Sequence, residues 1–176
     1  MLKLVNRNVF YDIMIAQHED IPIIHDIDAR SLVSRVSENW LNERRDRYTD
    51  KFFVARIVDT GEIIGYITGA ENLYYRDLLP GYVYISRFAI KENYRRCKVG
   101  TALFFAMFNH IKESNVYNGL VGDIRKSNIP SLRFFKGKSF VAHPTLSCPE
   151  SYGGETYEDR YKVVLYYPFR MEDRPI

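Results

Sequence analysis

The chain has 176 residues, 46% of them apolar and 27% charged, with a net charge of +3. That length predicts one domain, residues 1–176, with a core large enough to need no disulfide or metal staple. The composition excludes a disordered chain, no apolar run reaches the roughly 20 residues that span a bilayer, and three surplus positive charges fall far short of the basic stripe of a dedicated nucleic-acid binder. Residues 11–16 alternate well enough to predict a first strand. Asp20, ahead of Ile21-Pro22, predicts an N-cap and a helix carrying Ile21, Ile24, Ile27 and Leu32 at helical spacing. A second helix starts at Ser37, with Trp40 and Leu41 inward. Residues 51–68 read as a hairpin turning through Asp59-Thr60-Gly61-Glu62. A looser stretch ends at Pro80-Gly81, ahead of a strong strand at 82–90. An apolar helix at 100–112 is greasy nearly all round, as for a helix packed on a sheet face. Asn118-Gly119 punctuates the chain before a strand at 120–125. Ser127 or Asn128 then caps a short helix through Phe135, with Pro130 in its first turn. Phe140 opens another strand, and 161–167 is the last. The order is mixed α/β around one sheet.

The remaining composition narrows the class. Met1-Leu2-Lys3-Leu4-Val5-Asn6-Arg7 turns polar too early for a secretory leader. Cys97 and Cys148 make no disulfide framework, so a cytoplasmic protein with no membrane partner is expected. The 14 Tyr and 11 Phe fall mostly inside apolar segments such as Phe104-Phe105, Phe134-Phe135 and Tyr166-Tyr167, which favours core packing over stacking on nucleic acid. His18, His25, His110 and His143 lack metal-ligand spacing, and no metal is predicted. Arg44-Arg45-Asp46-Arg47 follows Glu43 and reads as a solvated helix face.

The informative unit is strand, basic loop, helix: Tyr84-Ile85-Ser86-Arg87-Phe88-Ala89-Ile90, Lys91-Glu92-Asn93, then Tyr94-Arg95-Arg96-Cys97-Lys98-Val99-Gly100-Thr101. A loop entering a helix N-terminus aims several unpaired backbone N–H groups at one spot, and the helix dipole adds positive potential there. Arg95, Arg96 and Lys98 add charge, and Gly100 lets a backbone come close to a phosphate. Spacing alone leaves two readings, a pyrophosphate cradle or a solvated basic turn.

This unit resembles the acetyl-CoA loop of the GNAT N-acetyltransferase superfamily, Arg/Gln-x-x-Gly-x-Gly/Ala after a strand. Arg95 and Gly100 hold its first and last positions, and Lys98 stands where the middle glycine is usual. Downstream, Asp123-Ile124-Arg125-Lys126-Ser127-Asn128-Ile129-Pro130-Ser131 and Phe134-Phe135 resemble the family's Asn-x-x-Ala-x-x-Phe-Tyr element, with Ser139-Phe140 in place of its usual Gly-Phe. The acidic strand ahead of Ser-Asn is similar to the branch that acetylates protein N-termini, ribosomal proteins included. Together the matches cover about residues 84–140. The resemblance implies an α/β, GNAT-like fold with a mixed, mostly antiparallel central sheet flanked by helices, and an acetyl-CoA-dependent N-acetyltransferase without a metal. It implies that Phe88, Ala89 and Ile90 line the pantetheine arm, the backbone of Phe88 and Ile90 pairing with it like an added strand. It implies a diphosphate held by Arg95, Arg96, Cys97, Lys98, Val99, Gly100 and Thr101, with further cofactor contacts from Asn128 and Phe135.

Amine attack on a thioester carbonyl gives a tetrahedral intermediate, so the site must supply an unprotonated amine, an oxyanion donor and a proton for the leaving thiolate. An α-amino group of pKa about 8 loses its proton for about 1.4 kcal/mol at pH 7, and a lysine near 10.4 for about 4.6. A weak, water-relayed base therefore suffices for an N-terminus. The resemblance points to Tyr84 and Asp123 as catalytic base candidates; otherwise they are an ordinary strand tyrosine and a loop-facing or salt-bridged carboxylate. Phe135 holds the family's usual tyrosine position and has no proton to give. Tyr84 or one of Tyr152, Tyr157 and Tyr161 takes over, or the thiolate leaves without a positioned acid. No catalytic histidine motif accompanies Cys97, which argues against a nucleophilic role. Residues 147–159, with Gly153-Gly154, read as a loop beside the substrate mouth or a long hairpin connection. The expectation is acetyl transfer to a primary amine, on a peptide N-terminus or a small molecule, by direct attack in a ternary complex in a monomer or homodimer. Its rivals are a non-catalytic acyl-CoA-binding module, suggested by Phe135 and Lys98, and a basic nucleic-acid adaptor, suggested by a pI of 8.8 and the aromatics.

Overall fold

The structure, a computed structural model, describes residues 10–143 and 162–169. Seven strands among them form a sheet: β1 (Tyr11–Ile15), β2 (Phe52–Ile57), β3 (Ile63–Glu71), β4 (Tyr82–Ile90), β5 (Gly119–Arg125), β6 (Val141–Ala142) and β7 (Lys162–Pro168). Their spatial order is β1-β2-β3-β4-β5-β7-β6. The described helices are α1 (Ile21–Ser31), α2 (Glu38–Arg47), α3 (Val99–Glu113) and α4 (Ile129–Lys136). β1–β2, β2–β3, β5–β7 and β6–β7 pair antiparallel, and β4–β5 pairs parallel. The mixed, mostly antiparallel sheet is therefore the one expected. The chain divides into two compact units: one contains the described residues up to Ala70 with Ser86–Ile111, the other Glu71–Ile85 with the described residues from Lys112 onward.

In the first unit β2 pairs with β1 from Tyr11↔Ile57 to Ile15↔Phe53, and with β3 from Phe52↔Thr68 to Arg56↔Ile63, with a bulge at Ala55/Arg56. The β2–β3 turn forms where predicted, with Gly61 at φ +69°. Ile21, Ile24 and Ile27 of α1 are buried with Phe52, Val54 and Tyr66, and each such side chain contributes roughly 1.5–3 kcal/mol. Ser37 caps α2 as expected, accepting the Trp40 N–H at 3.1 Å. Asp20 does not cap α1. Its backbone is already helical, and its buried carboxylate accepts the Gln17 N–H at 3.0 Å and Arg56 Nη2 at 2.6 Å. Helix α3 begins one residue earlier than predicted and buries one face only, Val99, Leu103, Phe104, Met107 and Ile111, while Phe105 is exposed.

A buried ion pair ties this unit together. Arg87 of β4 grips the fully buried Asp28 of α1 with Nε at 2.5 Å and Nη2 at 2.8 Å. The Tyr66 hydroxyl donates to the same carboxylate, and Arg87 also donates to the hydroxyl and carbonyl of Ser34. Burial, and then the Asp28 charge, pushes the Tyr66 phenol well above its ordinary value of 10.0. Removing one member of such a buried pair strands the other, typically at about 3–5 kcal/mol.

In the second unit β5 runs beside β7 over its whole length, Gly119↔Pro168 to Arg125↔Lys162. Its registered pairs with β4 are three, Tyr82↔Gly119 to Tyr84↔Val121. Tyr75, Leu79, Tyr82, Val121, Val164 and Tyr166 form the core here. Gly119 opens β5 and is no turn glycine. A Cβ there would lie 2.2 Å from the Tyr167 carbonyl oxygen and 2.5 Å from the Tyr82 ring. The turn glycine is Gly81, at φ +74°, whose carbonyl accepts the Asn118 N–H at 2.9 Å.

Candidate active site

The basic loop belongs to the first unit. After Ile90 the chain makes one tight helical turn, residues 92–94, with Tyr94 N–H bonded to the Lys91 carbonyl at 2.9 Å. Glu62, beside the β2–β3 turn, anchors it by accepting Lys91 Nζ at 2.8 Å and the Tyr94 hydroxyl at 3.0 Å. The Lys91 hydrogen bond holds the Glu62 carboxyl below its usual range, against an opposing push from burial. Arg96 and Lys98 then adopt left-handed backbone, φ +65° and +62°. That region costs a non-glycine residue roughly 1–2 kcal/mol, which explains why a glycine is usual at the Lys98 position. The first ladder bond of α3 is Ala102 N–H to the Lys98 carbonyl at 3.0 Å, so the N–H groups of Val99, Gly100 and Thr101 precede the ladder.

Arg95, Arg96 and Lys98 are exposed around these groups, Cys97 is half-buried, and residues 94–101 contain no acid. Unladdered amides, a helix N-terminus and three solvated cations fit an anionic diphosphate. Gly100 serves this arrangement through its missing side chain. A Cβ there would meet Phe88 Cζ at 3.3 Å and Ile90 Cγ1 at 3.8 Å, so the first turn of α3 lies directly on β4. Phe88 and Ile90 are half-buried and Ala89 is buried.

The two base candidates come together in the second unit. Tyr84 of β4 donates its hydroxyl to Asp123 Oδ2 of β5 at 2.9 Å. Tyr75 donates to the same oxygen at 3.1 Å. The Tyr74 ring packs edge-on against Tyr84 with centroids 5.3 Å apart. Tyr84 and Asp123 are half-buried, whereas Tyr75 is 2% exposed. Asp123 lies within β5, and two phenols donate to its carboxylate.

Sequence reasoning missed Tyr75 and its support, Asn72. The available signal was an asparagine two residues before tandem tyrosines in a connection of irregular pattern. Asn128 caps α4, its Oδ1 accepting the Ser131 N–H at 3.2 Å. The residue is exposed, and its amide N–H groups are donors suited to a ligand. Phe135 is buried, with ring centroids 5.2 Å from Phe134 and 5.1 Å from Phe140. Tyr152, Tyr157, Tyr161, Cys148 and the 147–159 segment lie outside the described residues. Among the described residues no three His, Cys, Asp or Glu side chains cluster as metal ligands, and no helix is long and apolar enough to cross a membrane.

Residues 21–140 match the profile of the Acetyltransferase (GNAT) family. The chain belongs to that family, and it is an acetyltransferase that moves an acetyl group from acetyl-CoA to a primary amine. Within the family, an N-alpha-acetyltransferase of Sulfurisphaera tokodaii is 31% identical over 137 residues, which cover 74% of this chain and 80% of that protein. The fold is shared with Ard1 from Thermoplasma volcanium, at a TM-score of 0.75 and 22% identity over 90% of this chain and 97% of that one. It is shared also with the ribosomal-protein-S18-alanine N-acetyltransferase from Escherichia coli, at a TM-score of 0.70 and 16% identity over 95% of this chain and all of that one. These findings do not favour the readings as a non-catalytic module or a nucleic-acid adaptor.

Proposed function

We propose that the acceptor is the α-amino group of a peptide or protein N-terminus, acetylated in the cytoplasm by a monomer or homodimer. The observation that carries the reading is the Tyr84 hydroxyl 2.9 Å from the Asp123 carboxylate. The N-alpha-acetyltransferase of Sulfurisphaera tokodaii supports it by its name. Acetyl-CoA, when bound, supplies the activated acyl group. The unladdered amides of Val99, Gly100 and Thr101, with Arg95, Arg96 and Lys98, hold its diphosphate. The amide N–H groups of Asn128 add a donor, and the half-buried Phe88 and Ile90 give the pantetheine arm an apolar strand.

Asp123 takes the proton of the incoming amine, directly or through one water. At pH 7 this task costs about 1.4 kcal/mol for an α-amino group against about 4.6 for lysine, so one carboxylate suffices for the first and not for the second. The nitrogen loses two protons in all, one before attack and one as the tetrahedral intermediate collapses: Asp123 passes the first to solvent and relays the second to Tyr84, which has given its own hydroxyl proton to the departing thiolate. Tyr84 thereby fills the role that Phe135 lacks the chemistry to perform.

The test is a mass-spectrometric acetylation assay on three peptides of one sequence: one with a free N-terminus, one with a blocked N-terminus and an internal lysine, and one with both amines free. Acetyl on the α-nitrogen alone is the expected result. Modification of the lysine only, or of a polyamine in preference to every peptide, overturns the reading. Tyr84→Phe should lower kcat by about tenfold or more, in the range of a positioned acid or base, with little change in the calorimetric Kd for acetyl-CoA. A weakened Kd at unchanged kcat would remove Tyr84 from the chemistry.

A further inference from the structure

Asp123 is one bond of a three-membered arrangement whose third member comes from the connection between β3 and β4. That connection has no regular secondary structure yet is closed by its own hydrogen bonds. Asn72, 6% exposed, donates Nδ2 to the Leu79 carbonyl at 2.9 Å and accepts the Tyr75 N–H on Oδ1 at 3.0 Å. The Tyr75 carbonyl accepts the Leu79 N–H at 2.7 Å and the Leu78 N–H at 3.2 Å. Both backbone groups of Tyr75 are therefore fixed, and its ring lies in the core with Leu79, Tyr82 and Val121. Packing alone would be served equally by phenylalanine. A buried hydroxyl costs free energy unless it is bonded, and this one is aimed at Asp123 Oδ2, the atom that Tyr84 also reaches.

We propose that Tyr75, held by the Asn72 clasp, is a positioning residue for acetyl transfer: its hydroxyl and that of Tyr84 converge on one oxygen of Asp123 and fix the orientation of the carboxylate that receives the amine proton. A carboxylate bound by a single phenol can still swing about its side-chain torsions. Two donors from different elements, β4 and the 72–79 connection, leave it one orientation. This inference rests on the assignment of Asp123 as the base.

The experiment is a kinetic cycle on the full chain with the free-N-terminus peptide. Tyr75→Phe keeps the ring and should lower kcat about tenfold, the order of one hydrogen bond to a charged group, with KM for acetyl-CoA and the thermal midpoint nearly unchanged. On the residual rate of Asp123→Ala, the same substitution should have no further effect, because the group it acts through is gone. Asn72→Ala, which leaves Tyr75 present but frees its connection, should lower kcat similarly, and the double variant Asn72→Ala/Tyr75→Phe no more than either alone. A Tyr75→Phe enzyme at wild-type kcat overturns the inference, as does an equal loss in the Asp123→Ala background. Full activity of Asp123→Ala would instead remove the base assignment, and this inference with it.

Discussion

Lysine at φ +62° immediately before α3 holds its Cβ against the following carbonyl, and the loop keeps it there with no glycine to relieve it. Lys98→Gly should raise unfolding stability by about 0.5–1 kcal/mol, the relief of left-handed strain less the extra entropy glycine loses. The same change should weaken acetyl-CoA binding, since one cation leaves the diphosphate site. A urea midpoint that falls, or an affinity that rises, would contradict that division of roles. Tyr66 carries a pH prediction. Its folded phenol stays protonated above its ordinary value of 10.0, so the stability it contributes is complete below the unfolded value and is lost as pH rises through the folded one. Urea unfolding should show stability declining from about pH 10 upward, and Tyr66→Phe should flatten that decline. Single residues also mark the limit of reading a sequence. Tyr84 and the Arg95–Thr101 loop were legible as candidates because they stand in one strand–loop–helix stretch that resembles a family motif, and Asp123 because it stands five residues ahead of Asn128 in a second one. Tyr75 was not, since its contact with Asp123 spans 48 positions and starts from a stretch with no periodicity. Asp20 has the residue type of a helix cap, yet an arginine 36 positions away claims its carboxylate.

Strands and helices were legible where periodicity or a cap decided them, as at β2, β3 and the Ser37 start of α2. They were misjudged where packing sets the choice of residue. Asn118-Gly119 has the composition of a turn, but the demand on Gly119 comes from the Tyr167 carbonyl and the Tyr82 ring, which leave no room for a Cβ. Gly119→Ala should therefore push β5 against β7 and destabilise the protein by about 1–3 kcal/mol, as overpacking does. A thermal scan showing an unchanged midpoint would mean that β5 yields more freely than this geometry implies. Gly65 plays a comparable part at β3, where a Cβ would lie 3.0 Å from the Ala89 carbonyl oxygen. The apolar character of α3 likewise exaggerated its burial, because Phe105 adds hydrophobicity on a face that stays exposed.

At the scale of the molecule the candidate groups fall in both units. One carries the basic loop at the start of α3, ahead of its hydrogen-bond ladder, and the other carries Tyr75, Tyr84 and Asp123 on a shared set of hydrogen bonds. Under the proposed assignment, changes to the loop cations should alter donor affinity, and changes to the carboxylate or its phenols should alter turnover. The measurement that bears most directly on this division is Asp123→Asn, assayed for kcat with an N-terminal peptide and for acetyl-CoA Kd by calorimetry on the same preparation. The predicted result is a kcat lower by about a hundredfold, within the range of a positioned base, at an unchanged Kd. A variant that turns over at the normal rate, or one whose loss lies in donor binding, would contradict the account.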